Sequence, residues 1–190
     1  MFKKLNLIVA SAVSVFAMNS AEINVNNSDL ELNVKFDMGQ FNENVEPATI
    51  FLGAKYLNGD EGHSDSRNID DYGELNFLMM KDVSDDLKLG LGFKLNHIKN
   101  FTSVPLGAEV SYKLPGTTVV PLYVGGSLYY ASEVLCMENA DSFLEYRVNI
   151  DAEVIENGRV TLGYRSLDTN YKIRDVEYNK SVYIGFKFFF

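Results

Sequence analysis

Tyr183-Ile184-Gly185-Phe186-Lys187-Phe188-Phe189-Phe190, the last stretch of the chain, alternates apolar and spacer positions and ends on a bare aromatic. The two-residue period of a β-strand puts Val182, Ile184, Phe186, Phe188 and Phe190 on one face. That face is too apolar to leave in water, so a second sheet or a lipid phase must cover it.

The same stretch resembles the terminal-strand signal by which outer-membrane β-barrels are recognised for insertion. Tyr183, Gly185, Phe188 and Phe190 fill that pattern in register. The resemblance implies the barrel-assembly machinery as a partner, engaged through this strand. The other end of the chain agrees. Lys3 and Lys4, the apolar run Leu5 to Phe16 and the small residues Asn19-Ser20-Ala21 read as a secretory signal peptide over residues 1–21, leaving 22–190 as one barrel domain. The apolar run is too short to span a bilayer as a helix.

Charge narrows the function classes. The chain carries −9 overall, and loss of Lys3 and Lys4 makes the remainder more acidic still. Nucleic acid is therefore excluded as a partner, because phosphates demand a basic face. No stretch after residue 21 has the length of a transmembrane helix, so a membrane location requires a closed barrel, in which every backbone group is paired between strands. The single cysteine, Cys136, rules out an internal disulfide.

Short alternating segments divided by Gly, Asn, Asp and Pro run from residue 22 onward, and the fold class is all-β. Strands are expected near 180–190, 158–168, 142–155, 118–131, 104–114, 86–97, 72–82 and 48–57. Connections alternate tight and long, with 58–71, 132–141 and 168–179 as long loops, as in a transmembrane antiparallel up-and-down β-barrel. Asp29 to Asp37 adds a strand, and Glu22 to Asn26 a tenth, joined by Asn27-Ser28. Ten strands are favoured; an eight-stranded barrel with the amino-terminal segment packed beneath or inside it is the alternative.

In 86–97, Leu87, Leu89, Leu91, Phe93 and Leu95 oppose Lys88, Gly90, Gly92, Lys94 and Asn96, which reads as lipid outside and polar inside. Segment 142–155 repeats it, with Glu145, Arg147, Asn149, Asp151 and Glu153 inward. The lumen charges singled out are Lys88, Lys94, Glu109, Glu145, Arg147, Asp151 and Arg165, accompanied by Glu31, Lys35, Lys55, Glu74, Lys113, Arg159 and Lys187. A barrel this narrow is nearly filled by side chains, and buried charges must pair, so a salt-bridged plug is expected, which loss of Arg147 and Arg165 would open. Tyr56, Tyr72, Tyr129, Tyr130 and Phe143 are expected to form a loop-side aromatic girdle, and Phe36, Tyr112, Phe188 and Phe190 a turn-side one.

Several stretches together resemble the YfaZ family of bacterial outer-membrane proteins: Ile50 to Tyr56 leading into Asn58 to Asp65, Leu122 to Tyr130, Val160 to Arg165, and the terminal strand. The resemblance implies a small outer-membrane barrel in contact with outer-membrane lipids and lipopolysaccharide. Its motifs are strand patterns, not catalytic signatures. No cofactor and no metal are expected. Asp60, Glu61, Asp65, Asp70 and Asp71 make an acidic outer loop whose spacing is not that of an EF-hand. The only histidines are His63 and His97. An acyl hydrolase or transferase would need a nucleophile within reach of one of them, and Ser103 is the nearest candidate. The expectation is a non-enzymatic barrel of structural or surface-interaction type with an occluded lumen, the alternative being a narrow diffusion pore.

Overall fold

The computed structural model describes residues 19–58, 71–98, 101–116, 120–138, 140–171 and 175–190. Twelve strands follow in chain order. They are β1 (Ser20–Val25), β2 (Leu30–Asp37), β3 (Ile50–Asn58), β4 (Tyr72–Asp82), β5 (Leu87–Ile98) and β6 (Phe101–Ser103), then β7 (Leu106–Lys113), β8 (Leu122–Ala131), β9 (Cys136–Glu138), β10 (Ala140–Ile155), β11 (Gly158–Tyr171) and β12 (Asp175–Phe189). Ten of them close a ring. The order β4-β3-β2-β1-β12-β11-β10-β8-β7-β5 returns to β4, and every pairing is antiparallel. The remaining two extend the wall at the loop end. β6 continues the register of β7 along β5 across Val104-Pro105, while β9 follows β8 after a 3-10 turn at Glu133–Leu135 and pairs with β6.

The ten-strand reading holds, and the amino-terminal segment is wall, not plug. β1 is only six residues long, yet it pairs along its whole length with both β2 and β12. Its ladder includes Ser20 and Ala21, which lie before the expected signal-peptide boundary. The rest of that expected segment, residues 1–18, falls outside the described residues.

Alternation explains why these residues form a wall. Leu91, Leu162, Val182 and Ile184 stand exposed on the exterior, while Lys55, Glu145 and Arg165 on the same sheet are buried. An exterior of Leu, Val, Ile and Phe around a polar interior is the inverse of a soluble sheet and the pattern of a membrane barrel. No helix among the described residues is long and apolar enough to cross a membrane, which says nothing of crossing by strands.

The ends are asymmetric. At the end holding Asn19 and Phe190, Val83–Asp86 and Glu156-Asn157 turn tightly, and Asn157 takes the left-handed φ of 61° that Asn tolerates. The connection 38–49 is longer, and Asp37 orders it by accepting from the backbone N–H groups of Gly39 and Ala48. At the opposite end, the expected long loop 168–179 is mostly strand: β11 runs to Tyr171 and β12 starts at Asp175.

The loop-side girdle needs correction too. Tyr56 and Tyr130 point outward, but Tyr72, Tyr129 and Phe143 are buried in the lumen. Parity forces this, because Tyr129 and Tyr130 are neighbours in one strand and must face opposite ways. The turn-side girdle of Phe36, Tyr112, Phe188 and Phe190 is exposed as expected.

Candidate functional site

The lumen is built in three layers. The middle one holds the charges. Glu145 on β10 receives Lys55 Nζ at 2.8 Å and Lys94 Nζ at 2.8 Å, with Arg147 Nε at 3.2 Å on the same carboxylate. Since β3 lies five strands from β10 in either direction around the ring, the Lys55–Glu145 pair spans the barrel's full width. Glu74 on β4 is the second acceptor for both lysines. Beside this group, Glu31 accepts from Arg147 and from Arg165 Nη1 at 3.0 Å, and Arg165 Nη2 reaches Asp29 at 2.9 Å. Asn179 joins in, accepting from Arg165 Nε and donating to Asp29. Aromatic rings complete the coordination: Tyr72 donates to Glu74 at 2.7 Å, and Lys94 Nζ sits 3.9 Å from the Tyr129 ring centroid. Charges this deeply buried are tolerable only when so fully paired.

Toward the loop end the lumen becomes apolar. Leu57, Tyr72, Ile98, Phe101, Ala131, Ala140, Phe143 and Leu167 pack together, with Leu135 and Cys136 against them. Phe101 and Phe143 are fully buried, with ring centroids 5.7 Å apart. These residues come from β3, β4, β5, β6, β8, β10 and β11, and they form an apolar cap over the lumen at that end.

Toward the turn end lies a cavity of about 410 Å³, reaching the rim at Asp85 and Lys113. Lys35 and Glu109 bridge across it at 3.0 Å, and Lys187 links Glu22 at 3.0 Å. The interior glycines do not simply leave space empty. A Cβ on Gly185 would collide with the Asn24 side chain, and one on Gly163 with the Tyr183 ring, so these glycines let those side chains lie flat on the wall.

Every expected lumen charge is inward, and the structure sorts them. Lys94, Glu145, Arg147 and Arg165 form the ion layer, while Glu109 and Asp151 line the chamber. Lys88 departs from the plug reading: it sits at the rim, half-exposed, paired with Asp82 at 3.1 Å. Asp29 and Glu22 were missed. The first was read only as the start of a strand whose inward residues were counted from Glu31; the second shows its inward parity only once Ile23 and Val25 are placed outside. Of the insertion-signal residues, Tyr183 is buried facing the lumen, Gly185 accommodates Asn24, and Phe188 and Phe190 face outward.

The arrangement that acyl chemistry would require is not present at His97. His97 Nδ1 lies 3.0 Å from Thr102 Oγ1 on the exposed face, whereas Ser103 is fully buried on the opposite one. No group of metal-ligating side chains occurs among the described residues. Asp60, Glu61, His63, Asp65 and Asp70 lie outside them; Asp71 accepts from the Tyr56 hydroxyl at 2.8 Å.

No family model and no curated protein matches the chain. The YfaZ resemblance therefore rests on the strand motifs alone. Among solved structures, the chain is similar to one described as the NanC porin in a rhombohedral crystal form, at 5% identity over 90% of this chain and 96% of that one, with a TM-score of 0.43. It is also similar to one from work on the in-meso crystallisation of membrane proteins, at 11% identity over 91% of this chain and 83% of the other, with a TM-score of 0.42.

Proposed function

We propose that this chain is a bacterial outer-membrane barrel of structural or surface-interaction type, related to the YfaZ proteins, whose lumen is shut. The observation that carries the reading is the double closure. An ion layer tied across the full width of the barrel lies directly under an apolar cap, and an ion crossing both would shed its hydration in the cap. The apolar belt fits outer-membrane lipid, the loop end fits contact with lipopolysaccharide, and the terminal strand fits delivery by the barrel-assembly machinery. His97 and Ser103, on opposite faces, favour a protein without acyl chemistry.

Purified protein in planar bilayers tests the closure. Steady conductance should be at the baseline of a protein-free bilayer at 1 M KCl. Reproducible open channels would overturn the reading in favour of a narrow diffusion pore.

A further inference from the structure

β1 is the shortest strand of the ring, and its first residues lie where the sequence places the end of a secretory leader. A tilted transmembrane strand needs about 9–11 residues, and β1 has six. A cut after Ala21 would take two of them. Ser20 pairs with Phe189 and Lys35, and Ala21 with Phe188 and Val34, so that cut strips two rungs from each ladder of β1. Phe188 and Phe189 would then have no strand on that side.

Asn19, just ahead of β1, is equally committed to the wall. It is buried, its Oδ1 accepts from the Asp37 N–H at 3.0 Å, and its Nδ2 donates to Gln40 Oε1 at 2.9 Å. Its carbonyl accepts from the Phe190 N–H at 3.0 Å. Asp37 is itself fully buried and orders the 38–49 connection, so one asparagine ties that connection to the residue that follows β12. Losing Asn19 would leave the buried Asp37 N–H without its acceptor.

A leader peptidase reads small, uncharged residues at the first and third positions before its cut. Ala21 meets the first requirement but puts Asn19 at the third. Ala17, outside the described residues, meets the first with Val15 at the third, and it is the last alanine before Asn19. Lys3, Lys4 and the apolar run from Leu5 to Ser14 remain ahead of it as a complete leader.

We propose that the chain is processed by hydrolysis of the Ala17–Met18 peptide bond, so that Asn19, Ser20 and Ala21 stay on the exported chain and close the barrel. Water supplies the new carboxylate oxygen of Ala17, and Met18 keeps its nitrogen as the new ammonium group. The cut precedes folding; in the finished ring the Ala21–Glu22 bond lies inside a strand paired on both sides. The site rests on the outer-membrane reading proposed above, which requires export.

Mass spectrometry of the amino-terminal peptide, from outer membranes of cells expressing the full chain, decides it. The expected peptide begins Met18-Asn19-Ser20, and one beginning at Val15, at Glu22 or at any other residue would overturn the cut. Two substitutions give a reading that needs no folded barrel. Ala17→Leu should abolish the Met18 end and raise the unprocessed fraction at least tenfold in pulse labelling. Ala21→Leu, on the outward face with Ile23 and Val25, should be processed as fast as the unaltered chain. The reverse pattern would overturn the proposal. Deleting Met18 to Ala21, which joins Glu22 directly to Ala17, should give a processed chain that loses heat-dependent gel mobility. Unchanged mobility of that processed chain would overturn the part of Asn19, Ser20 and Ala21 in closing the ring. The failures are distinguishable: a chain still carrying Lys3 and Lys4 sinks the leader and the outer-membrane reading with it, whereas a chain cut after Ala21 sinks this site alone.

Discussion

Glu145 concentrates the energetics of the lumen in one carboxylate, because Lys55, Lys94 and Arg147 all converge on it. Replacing it by Ala leaves two buried lysines sharing Glu74. We expect Glu145→Ala to destabilise the barrel by about 3–5 kcal/mol, the usual cost of stranding a buried charge, in urea unfolding from phospholipid vesicles. Lys88→Ala at the exposed rim should change stability by less than about 1 kcal/mol. A similar loss from both would mean that the ion layer is not the tie it looks to be. Cys136, on β9 at the loop end, gives a second test. Burial and the charge of Asp141 push its thiol above the ordinary cysteine value, and Sγ lies 3.8 Å from the Ala131 carbonyl. A raised thiol value means less thiolate at neutral pH. Labelling of intact cells by an impermeant maleimide should therefore be slower than for an unhindered cysteine at pH 7 and should gain more on raising the pH. Labelling only after the outer membrane is opened would reverse the orientation proposed here.

Strands were legible wherever charge marked the inner face. β5 and β10 carry Lys94, Glu145 and Arg147 against Leu and Val neighbours, and their parity followed directly. Leu57, Ile98 and Leu167 were illegible for a physical reason: they keep the inward parity of Lys55, Lys94 and Arg165, but at strand ends they look like one more lipid-facing residue. Followed to the loop end of β3, β4, β5, β8, β10 and β11, the inner face turns from charged to apolar, and that change is the cap. The 168–179 segment was misread because its polar residues match turn composition, although they pair as a continuation of β11 and β12. At this scale β12 makes the sharpest prediction. Deleting Phe190, or replacing Phe188 and Phe190 by Ser, removes outward aromatics at the turn-side belt and should leave a secreted chain that inserts poorly. Fractionation with heat-dependent mobility reads this, and normal insertion would contradict it.

For the whole molecule, two independent seals mean that neither alone should govern conduction. Loss of Arg147 and Arg165, expected from sequence to open the lumen, leaves Phe101 and Phe143 in place. Arg147→Ala with Arg165→Ala should therefore stay silent in planar bilayers, as should Phe101→Ala with Phe143→Ala. The fourfold variant should conduct, with a preference for cations, because Glu31, Glu145 and Asp29 would keep their charge with fewer partners. Conduction by either double variant would show that its layer is the true barrier.

The junction of β1 with β12 is the one place in the ring where neighbouring strands are far apart in sequence; every other pairing in the ring joins strands that follow one another along the chain, with at most β6 or β9 between them. Hairpins form from local contacts, whereas this join needs both β1 and β12 in place, so it closes a loop of nearly the whole barrel and is the costliest in chain entropy. Until it is made, β1 and β12 each carry an open edge able to pair with a foreign strand. Only six residues, Ser20 to Val25, make the join. The Asp29–Arg165 and Glu31–Arg147 pairs reach over it from β2 and the turn before it to β11 and β10, and so act as a latch that holds the finished ring shut. A barrel with the latch removed would reopen along that line before any hairpin came apart.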